Sequence, residues 1–262
     1  MITIAIATMS TTLEMTVDKV CKLIALNNCY RFLIVSQDEE YNVIEIKNDK
    51  LTIIKSKTVG LSKSRNIAIE YVDSGWIWFQ DDDIQLNINE INSIYKTILY
   101  YDSDLYFIKI GSLENKNTLY KNYSHYRKHS DLNFLKISSI EIIVSVKFIK
   151  NKKIIFDEKL GLGSNLPCCE ENKFILDCFN QCPSVFYVDG IACYHTTLIS
   201  NRNIDYVKCM KARGYLLACL PYWLAILLFV RWSFKFSRIS NLSRHACFKL
   251  LLDGYVLNMR AR

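Results

Sequence analysis

The chain has 262 residues, 50% of them hydrophobic and 23% charged, which is enough length and apolar content for a core and excludes a disordered protein. Three prolines and eight glycines exclude long flexible linkers. The net charge of +7 is unevenly placed: residues 201–262 carry 11 Lys and Arg against 2 Asp and Glu, whereas residues 1–200 carry 22 against 24. The last quarter therefore favours an anionic partner.

Short apolar runs alternate with helical patterns along the first half, which predicts βαβ units and a parallel sheet. The first run, residues 2–7, lacks the basic start of a secretory signal and is interpreted as a core strand that ends in a polar loop at 8–12. Further strands are predicted at 30–35, 51–54, 76–80 and 105–110, and helices at 13–26, 60–72 and 89–101.

The strand at Trp76–Phe79 leads directly into three consecutive carboxylates, Asp81, Asp82 and Asp83. Ligands of open α/β sheets bind at this carboxyl edge. The spacing of Asp81 and Asp83 lets both side chains point the same way and share a hard divalent cation with a phosphate. A solvated acidic turn is the alternative.

The helix after Gly60 has Ser62 as its predicted N-cap and carries Lys63 and Arg65 in its first turns. Cations near a helix start suit a diphosphate, and the planar fork of arginine donates two parallel bonds to it. A capped surface helix with ordinary basic residues is the alternative.

Residues 111–130 are polar and contain Tyr120, Tyr123 and Tyr126, with His125 and His129. Such rings could stack on sugar faces near a binding site. A surface loop that carries exposed aromatic and polar side chains fits the same composition equally well. The two histidines are expected to face solvent.

The second half is predicted to contain strands at 142–146, 153–156, 185–188 and 191–195 and a loop at 161–167. Glu170 and Glu171 open an apolar-periodic helix after that loop. Acidic residues at a helix start gain from its dipole, whereas a carboxylate facing a cleft can serve as a general base.

The ten cysteines include no Cys-x-x-Cys pair. Cys168, Cys169, Cys178 and Cys182 with His195 match no standard zinc spacing, so reduced structural thiols are favoured over a zinc cluster.

Four segments, in this order, resemble the inverting glycosyltransferases of family 2. They are Gly60-Leu61-Ser62-Lys63-Ser64-Arg65-Asn66, Phe79-Gln80-Asp81-Asp82-Asp83, Gly161-Leu162-Gly163 with Glu170-Glu171-Asn172, and Tyr194-His195. The resemblance implies a GT-A fold: an α/β, Rossmann-like mixed sheet flanked by helices. It implies a nucleotide-sugar-binding half at 1–104 and an acceptor-binding half at 105–204, followed by a helical extension at 205–262.

The same resemblance implies the roles of the site residues. Asp83, Asp81 and His195 would hold Mn²⁺ or Mg²⁺. Arg65, Asp81 and Asp82 would face the nucleotide sugar, and Asp38 after the second strand would contact its base. Glu171, the second member of an acidic pair that usually reads Glu-Asp, would be the catalytic base.

The basic tail contains 17 uncharged residues between Arg213 and Arg231, interrupted by Pro221. A membrane span needs about 20 residues. The run is therefore interpreted as a re-entrant or interfacial segment at a membrane, flanked by cations that meet anionic headgroups. A helix buried against the catalytic domain is the alternative, and the embedded apolar run argues against nucleic acid as the partner.

The expected protein is a metal-dependent hexosyltransferase that uses a nucleotide sugar, with UDP as the commonest carrier. Its acceptor, implied by the resemblance, is a polyprenyl-diphosphate-linked oligosaccharide for O-antigen or capsule at the cytoplasmic face of the plasma membrane. Two rivals stay open: a sugar nucleotidyltransferase, although residues 8–12 lack the glycine-rich phosphate loop that such an enzyme should have, and a non-catalytic assembly protein on the same fold.

Overall fold

The computed structural model describes residues 1–25, 30–38, 40–123, 133–196 and 205–260. One mixed sheet contains the nine strands of this described part: β1 (Ile2–Met9), β2 (Tyr30–Gln37), β3 (Val43–Asn48), β4 (Leu51–Ser56), β5 (Trp76–Asp81), β6 (Gln85–Leu86), β7 (Leu105–Ser112), β8 (Ile142–Ser145) and β9 (Val185–His195). The described α-helices are α1 (Leu13–Ile24), α2 (Leu61–Tyr71), α3 (Ile88–Tyr101), α4 (Val146–Lys152), α5 (Glu170–Phe179), α6 (Tyr206–Leu217), α7 (Tyr222–Ile239) and α8 (Arg244–Met259).

The strand directions bring most carboxyl ends to one edge of the sheet. The order is β3-β4-β2-β1-β5-β8-β7-β9-β6. β1 pairs parallel with β2 and β5, and β4 pairs parallel with β2. β8 runs antiparallel to both β5 and β7, so β7 has the direction of β5, and β9 pairs parallel with β7. The strands β4, β2, β1, β5, β7 and β9 therefore end at the same edge.

Both faces of the sheet are covered, which explains the continuous apolar runs in its strands. Alternation along β5 sends Ile77 and Phe79 into the core layer that contains Phe174 of α5, and Trp78 into the layer that contains Ile94 of α3. This confirms the predicted mixed sheet flanked by helices. The sheet continues across residue 104, so the division into halves at 104 and 204 stays a prediction.

Several predicted elements differ in detail. Gly60, with φ of 136°, is the N-cap of α2, so the prediction of Ser62 was wrong; the Ser62 hydroxyl instead donates to the Leu160 carbonyl at 2.6 Å. Residues 153–156 form no strand, because α4 ends there with Lys153 in the left-handed region. Residues 185–195 form the single strand β9, whose pairing with β7 is irregular around Lys109. The exposed strand β3 was not predicted.

The C-terminal extension forms three helices. The uncharged run at 214–230 is divided between α6, which ends at Leu217, and α7, which begins at Tyr222 with Pro221 as its N-cap. Ala212, Tyr215 and Leu216 of α6 pack against Leu160 and Leu166 of the loop before α5. None of the helices in the described ranges is long and apolar enough to span a membrane.

Candidate active site

The sheet edge described above collects polar side chains from strands that are distant in sequence. Thr8 lies near the end of β1, Asp38 follows β2, Asp81 ends β5 and His195 ends β9. The parallel strand directions produce this gathering, because each strand delivers its last residue to the same edge.

Asp81, which ends β5, and the two carboxylates that follow it have three different surroundings. Asp81 Oδ1 faces Arg65 Nη2 at 3.2 Å. Asp82 Oδ2 accepts hydrogen bonds from Thr8 Oγ1 at 2.7 Å and from Thr12 Oγ1 at 2.8 Å. Asp83 is exposed and its Oδ2 lies 3.7 Å from His195 Nε2. The triplet therefore contacts three separate parts of the fold: α2 through Arg65, the end of β1 and the turn after it through Thr8 and Thr12, and β9 through His195.

Lys19 of α1 supports the turn that carries the triplet. Its ammonium donates to the carbonyl of Asp82 at 3.1 Å and to that of Ile84. Burial lowers the pKa of Lys19, while the neighbouring Asp83 and Asp82 act in the opposite direction. The ammonium thus contributes a positive charge beside two of the three carboxylates.

Asp83 and His195 form a pair with donor atoms suited to a divalent cation. His195 Nδ1 lies 2.7 Å from the Thr196 carbonyl, which can only accept, so Nδ1 carries the hydrogen. In the neutral ring Nε2 then presents its lone pair towards Asp83. Mn²⁺ and Mg²⁺ favour carboxylate oxygen. The neutral imidazole of histidine is a common metal ligand in general. Tyr120 packs edge-on against the His195 ring, with centroids 5.1 Å apart, and restricts its orientation.

The predicted third metal ligand, Asp81, is turned towards Arg65 instead. Among the described residues, no three His, Cys, Asp or Glu side chains are grouped so that they could hold a metal ion. The structure thus brings together two of the three predicted ligands. The same finding does not support the zinc cluster, and Cys168, Cys169, Cys178 and Cys182 are free thiols.

Arg65 joins the β5 side of the site to the α5 side. Its side chain is 3% exposed, with Nη1 3.2 Å from Glu170 Oε1 and Nη2 3.2 Å from Asp81 Oδ1. Nη2 also donates to Ser139 Oγ at 2.7 Å, and the guanidinium lies over the Phe156 ring, 5.4 Å from its centroid. The sequence predicted that Arg65 faces the nucleotide, whereas the structure directs its guanidinium at protein oxygens.

Glu171, the predicted base, is half-buried beside Glu170 at the start of α5. Burial, and then the charge of Glu170, raise the pKa of Glu171 to about 8, while Arg65 opposes the increase. The residue before them, Cys169, has φ of 74°. Glycine adopts this left-handed conformation without strain, and in cysteine it costs on the order of 1–2 kcal/mol. Glu170 and Glu171 therefore directly follow a residue in a strained backbone conformation.

Asp38 is placed at the expected edge but bonds within its own turn. Its Oδ1 accepts the Glu40 backbone N–H at 2.9 Å, and its own N–H donates to the Ser56 carbonyl at 2.8 Å. The neighbouring Gln37 accepts the Gly60 N–H at 2.8 Å and so holds the start of α2 against β2. Contact between Asp38 and a nucleotide base stays a prediction.

The tyrosine-rich segment is only partly described. Tyr123 is buried and donates to Glu141 Oε1 at 2.6 Å, so it anchors the segment and is not placed to stack on a sugar. Lys121 and the Ser138 N–H both contact Glu141 Oε2 at 2.7 Å. Burial raises the pKa of Glu141, and the Lys121 ammonium opposes the increase. Tyr126, His125 and His129 lie outside the described residues.

Sequence reasoning missed the residues that hold the predicted ones in place: Thr8, Thr12, Lys19, Ser139 and Glu170 as the partner of Arg65. For Thr8 and Thr12 the only signal in the sequence was their position, at or just after the end of a strand that reaches the binding edge. Ser139 and Lys19 gave no signal, because their contacts depend on elements more than 60 residues away.

The fold and this edge define a glycosyltransferase of GT-A fold. A family model described as glycosyl transferase family 2 matches residues 15–160, which is more than half of the chain. The chain therefore belongs to glycosyl transferase family 2. The matched region includes Arg65 and the acidic triplet and ends before Glu170 and Glu171.

Solved structures of S. aureus TarS share the fold. TarS 1–349 matches with a TM-score of 0.59 at 14% identity, over 97% of this chain and 70% of that chain. The crystal structure of TarS 1–349 in complex with UDP-GlcNAc matches with a TM-score of 0.60 at 14% identity, over 83% of this chain and 66% of that chain. A longer TarS chain, at 15% identity and a TM-score of 0.57, is covered over 42% of its length. No curated protein sequence gives a significant match.

Proposed function

We propose that this glycosyltransferase is a metal-dependent, inverting hexosyltransferase. It moves a hexose from a UDP sugar to a growing polyprenyl-diphosphate-linked oligosaccharide for a surface polysaccharide such as O-antigen or capsule. The observation that carries the proposal is the two-sided site. Asp83 and His195 lie on one side and Glu171 on the other, and Arg65 bridges their chain neighbours Asp81 and Glu170. The TarS complex with UDP-GlcNAc supports a UDP-sugar donor on this fold.

The chemistry follows from the positions of the charges. Glu171, as a carboxylate, accepts the proton of the acceptor hydroxyl while that oxygen bonds to the anomeric carbon. The bond from that carbon to the nucleoside diphosphate breaks on the opposite face, so a single displacement inverts the anomeric centre. Asp83 and His195 would hold Mn²⁺ or Mg²⁺, which when bound supplies positive charge to the departing diphosphate.

The raised pKa of Glu171 suits this role. A general base works best when its pKa lies near the operating pH, and the value of about 8 meets that condition. The α5 N-terminus alone would favour the ionised form, so burial and Glu170 are the causes that give the carboxylate its basicity.

The test is sugar transfer by purified Asp83→Ala and Glu171→Gln proteins, with a panel of UDP-hexoses and a synthetic polyprenyl-diphosphate acceptor. Each variant should lose at least about 100-fold in kcat, the lower part of the range for a missing general base. Glu70→Gln, which changes an exposed glutamate at the far end of α2, is the matched control. Near wild-type transfer by folded Glu171→Gln would contradict the proposal, as would activity unaffected by chelator.

The rival functions predict different products. A nucleotidyltransferase would release pyrophosphate from a nucleoside triphosphate and a sugar phosphate, and family 2 membership argues against it. A non-catalytic assembly protein would neither transfer the sugar nor hydrolyse UDP sugars with metal present.

The tail supports a peripheral position at the inner face of the plasma membrane. Trp223, Leu227, Val230 and Phe234 recur at helical spacing on α7, and each side chain is at least 43% exposed. Exposed Arg231, Lys235 and Arg238 lie on the same helix. An apolar stripe flanked by cations suits the boundary between anionic headgroups and acyl chains, where each cation contributes about 1 kcal/mol.

Vesicle sedimentation tests this position with the whole chain. Binding to vesicles that contain anionic phosphatidylglycerol should exceed binding to phosphatidylcholine vesicles, and Trp223→Ser with Leu227→Ser should abolish the difference. Tyr100→Ser, which removes an 80% exposed ring from α3, is the control. Equal recovery of the wild-type protein with and without vesicles would contradict the membrane position and leave the catalytic proposal intact.

A further inference from the structure

The guanidinium of Arg65 is not placed as expected for a cation that binds the nucleotide-sugar donor. Both of its terminal nitrogens face protein oxygens, at 3.2 Å from Glu170, 3.2 Å from Asp81 and 2.7 Å from Ser139. Its Nε is buried and lacks a hydrogen-bond partner among the described residues. A diphosphate would have to displace these partners to reach the guanidinium.

The three partners come from separate parts of the fold. Asp81 ends β5, Ser139 lies in the 3₁₀ turn before β8, and Glu170 begins α5. Glu170 is 6% exposed, so Arg65 and Glu170 form a buried ion pair. Removing one partner of such a pair strongly destabilises the folded protein, because the remaining charge is left buried and uncompensated.

The contacts extend to the residues that the proposed mechanism uses. Glu170 directly precedes Glu171 at the start of α5, and Asp81 is two residues before Asp83. Gly161, with φ of 98°, allows the loop before α5 to pass close to Glu170; a Cβ there would lie 2.8 Å from Ser62 Oγ and 3.2 Å from Glu170 Cδ. The path from Asp81 through Arg65 and Glu170 to Glu171 is therefore continuous and closely packed.

We propose that Arg65 is a positioning residue that joins the β5 carboxylates to the acidic pair of α5 and so sets the distance between the two sides of the site. This inference rests on the proposed base role of Glu171. It assigns to Arg65 no contact with the nucleotide, unlike the expectation from sequence. Lysine cannot replace it, because a single ammonium does not reproduce two forked contacts to separate carboxylates.

The test compares Arg65→Lys and Arg65→Met with Arg31→Lys, a control at the opposite end of the sheet where Arg31 Nε donates to Thr3 Oγ1 at 2.9 Å. A misplacement of about 1 Å costs about 100-fold in rate. Arg65→Lys should therefore lower kcat by about that factor, while the KM for UDP sugar and the Kd for UDP by calorimetry change by less than about threefold. Arg31→Lys should leave all three unchanged.

Two results would overturn the inference. One is a rise of tenfold or more in the Kd for UDP with kcat retained, which would show direct nucleotide binding. The other is an unchanged kcat in folded Arg65→Lys. If Arg65→Met does not fold, Glu170→Gln removes the same ion pair from the other side and should also lower kcat without changing the Kd for UDP. An inactive Glu171→Gln with a fully active Arg65→Lys would reject this inference alone, whereas an active Glu171→Gln rejects the proposed function.

Discussion

Thr8, near the end of β1, donates a 2.7 Å hydrogen bond to Asp82, the residue that follows β5. The two residues are 74 positions apart in the chain, and their strands are neighbours in the sheet. A second hydroxyl, from Thr12, reaches the same carboxylate oxygen, so Asp82 holds the turn between β1 and α1 against the acidic triplet. The middle carboxylate of the triplet therefore has its structural partners on the neighbouring strand β1 and in the turn that follows it.

Removing the Thr8 hydroxyl should loosen this turn. Thr8→Val replaces a buried donor to an ionised carboxylate, and such bonds contribute about 1.5–3 kcal/mol. We expect a loss of that size in the free energy of unfolding, measured with urea, together with a raised KM for the nucleotide sugar. Thr97→Val is the control, since that hydroxyl donates to Ser93 within α3. Equal stability of the two variants would show that the Asp82 contact carries little energy.

Glu171 should govern the acidic limb of the pH–rate profile. Its pKa is raised to about 8, so the carboxyl group is protonated below that pH and cannot accept the acceptor proton. Activity is expected to rise with pH, to be half-maximal near pH 8 and to level off about one pH unit above that. In Glu171→Asp the pH of half-maximal activity should change, whereas in the exposed control Glu70→Gln it should not. A profile flat from pH 6 to 9 in kcat/KM for the acceptor would contradict the assignment.

The same pKa shift predicts how stability depends on pH. Between the ordinary value of 4.5 and about 8, the folded protein binds the Glu171 proton and the unfolded chain releases it. The free energy of unfolding should therefore fall as pH rises through this window. Urea titrations at pH 5, 6.5 and 8 should show a smaller fall for Glu171→Gln than for the wild type. An identical dependence in both proteins would mean that the shift is absent.

His195 should contribute to metal affinity. Changes in residues that merely support metal ligands already cost about 10–100-fold in affinity. Binding of Mn²⁺, followed by electron paramagnetic resonance, should therefore weaken at least about tenfold in His195→Ala and in Asp83→Asn. Asp81→Asn should weaken it less, because Asp81 faces Arg65. If Asp81→Asn has the largest effect of the three, the carboxylate must turn away from Arg65 when the cation binds.

The crossing of α6 and α8 should not tolerate side chains at its two glycines. A Cβ at Gly214 would overlap the Leu251 carbonyl oxygen, and a Cβ at Gly254 would overlap that of Lys211. Gly214→Ala and Gly254→Ala should each lower stability by about 1–3 kcal/mol, the usual cost of overpacking. The loss of stability in the double variant should be smaller than the sum of the two single losses, since either change separates the same helix pair. A gain of about 1 kcal/mol, as for alanine at an open helix position, would contradict the close crossing.

Residue type and spacing alone predicted most strands of the sheet and the edge at which the candidate site lies. Uninterrupted apolar runs such as Trp76–Phe79 indicate strands covered on both faces, and parallel strands place their ends together. This reasoning pointed to Asp81 and Asp83, whereas the roles of Glu171 and His195 were predicted from the resemblance to family 2. The helical tail and its interruption at Pro221 followed from the charge pattern and a single proline.

The partner of each charged group depended on the tertiary structure. Arg65 and Asp81 are 16 residues apart, but Arg65 and Glu170 are 105 apart, and no local pattern shows which carboxylate a buried guanidinium will reach. Likewise Tyr123 is an anchor because its hydroxyl donates to the buried Glu141. Gly60 is the N-cap of α2, and Ser62 lies inside the first turn with its hydroxyl donating to the Leu160 carbonyl. The sequence by itself determined which chemical groups gather at the sheet edge, since strand periodicity is a local property. Only the folded chain decided how they pair, because ion pairs and hydrogen bonds act over about 3 Å between segments that the sequence keeps far apart.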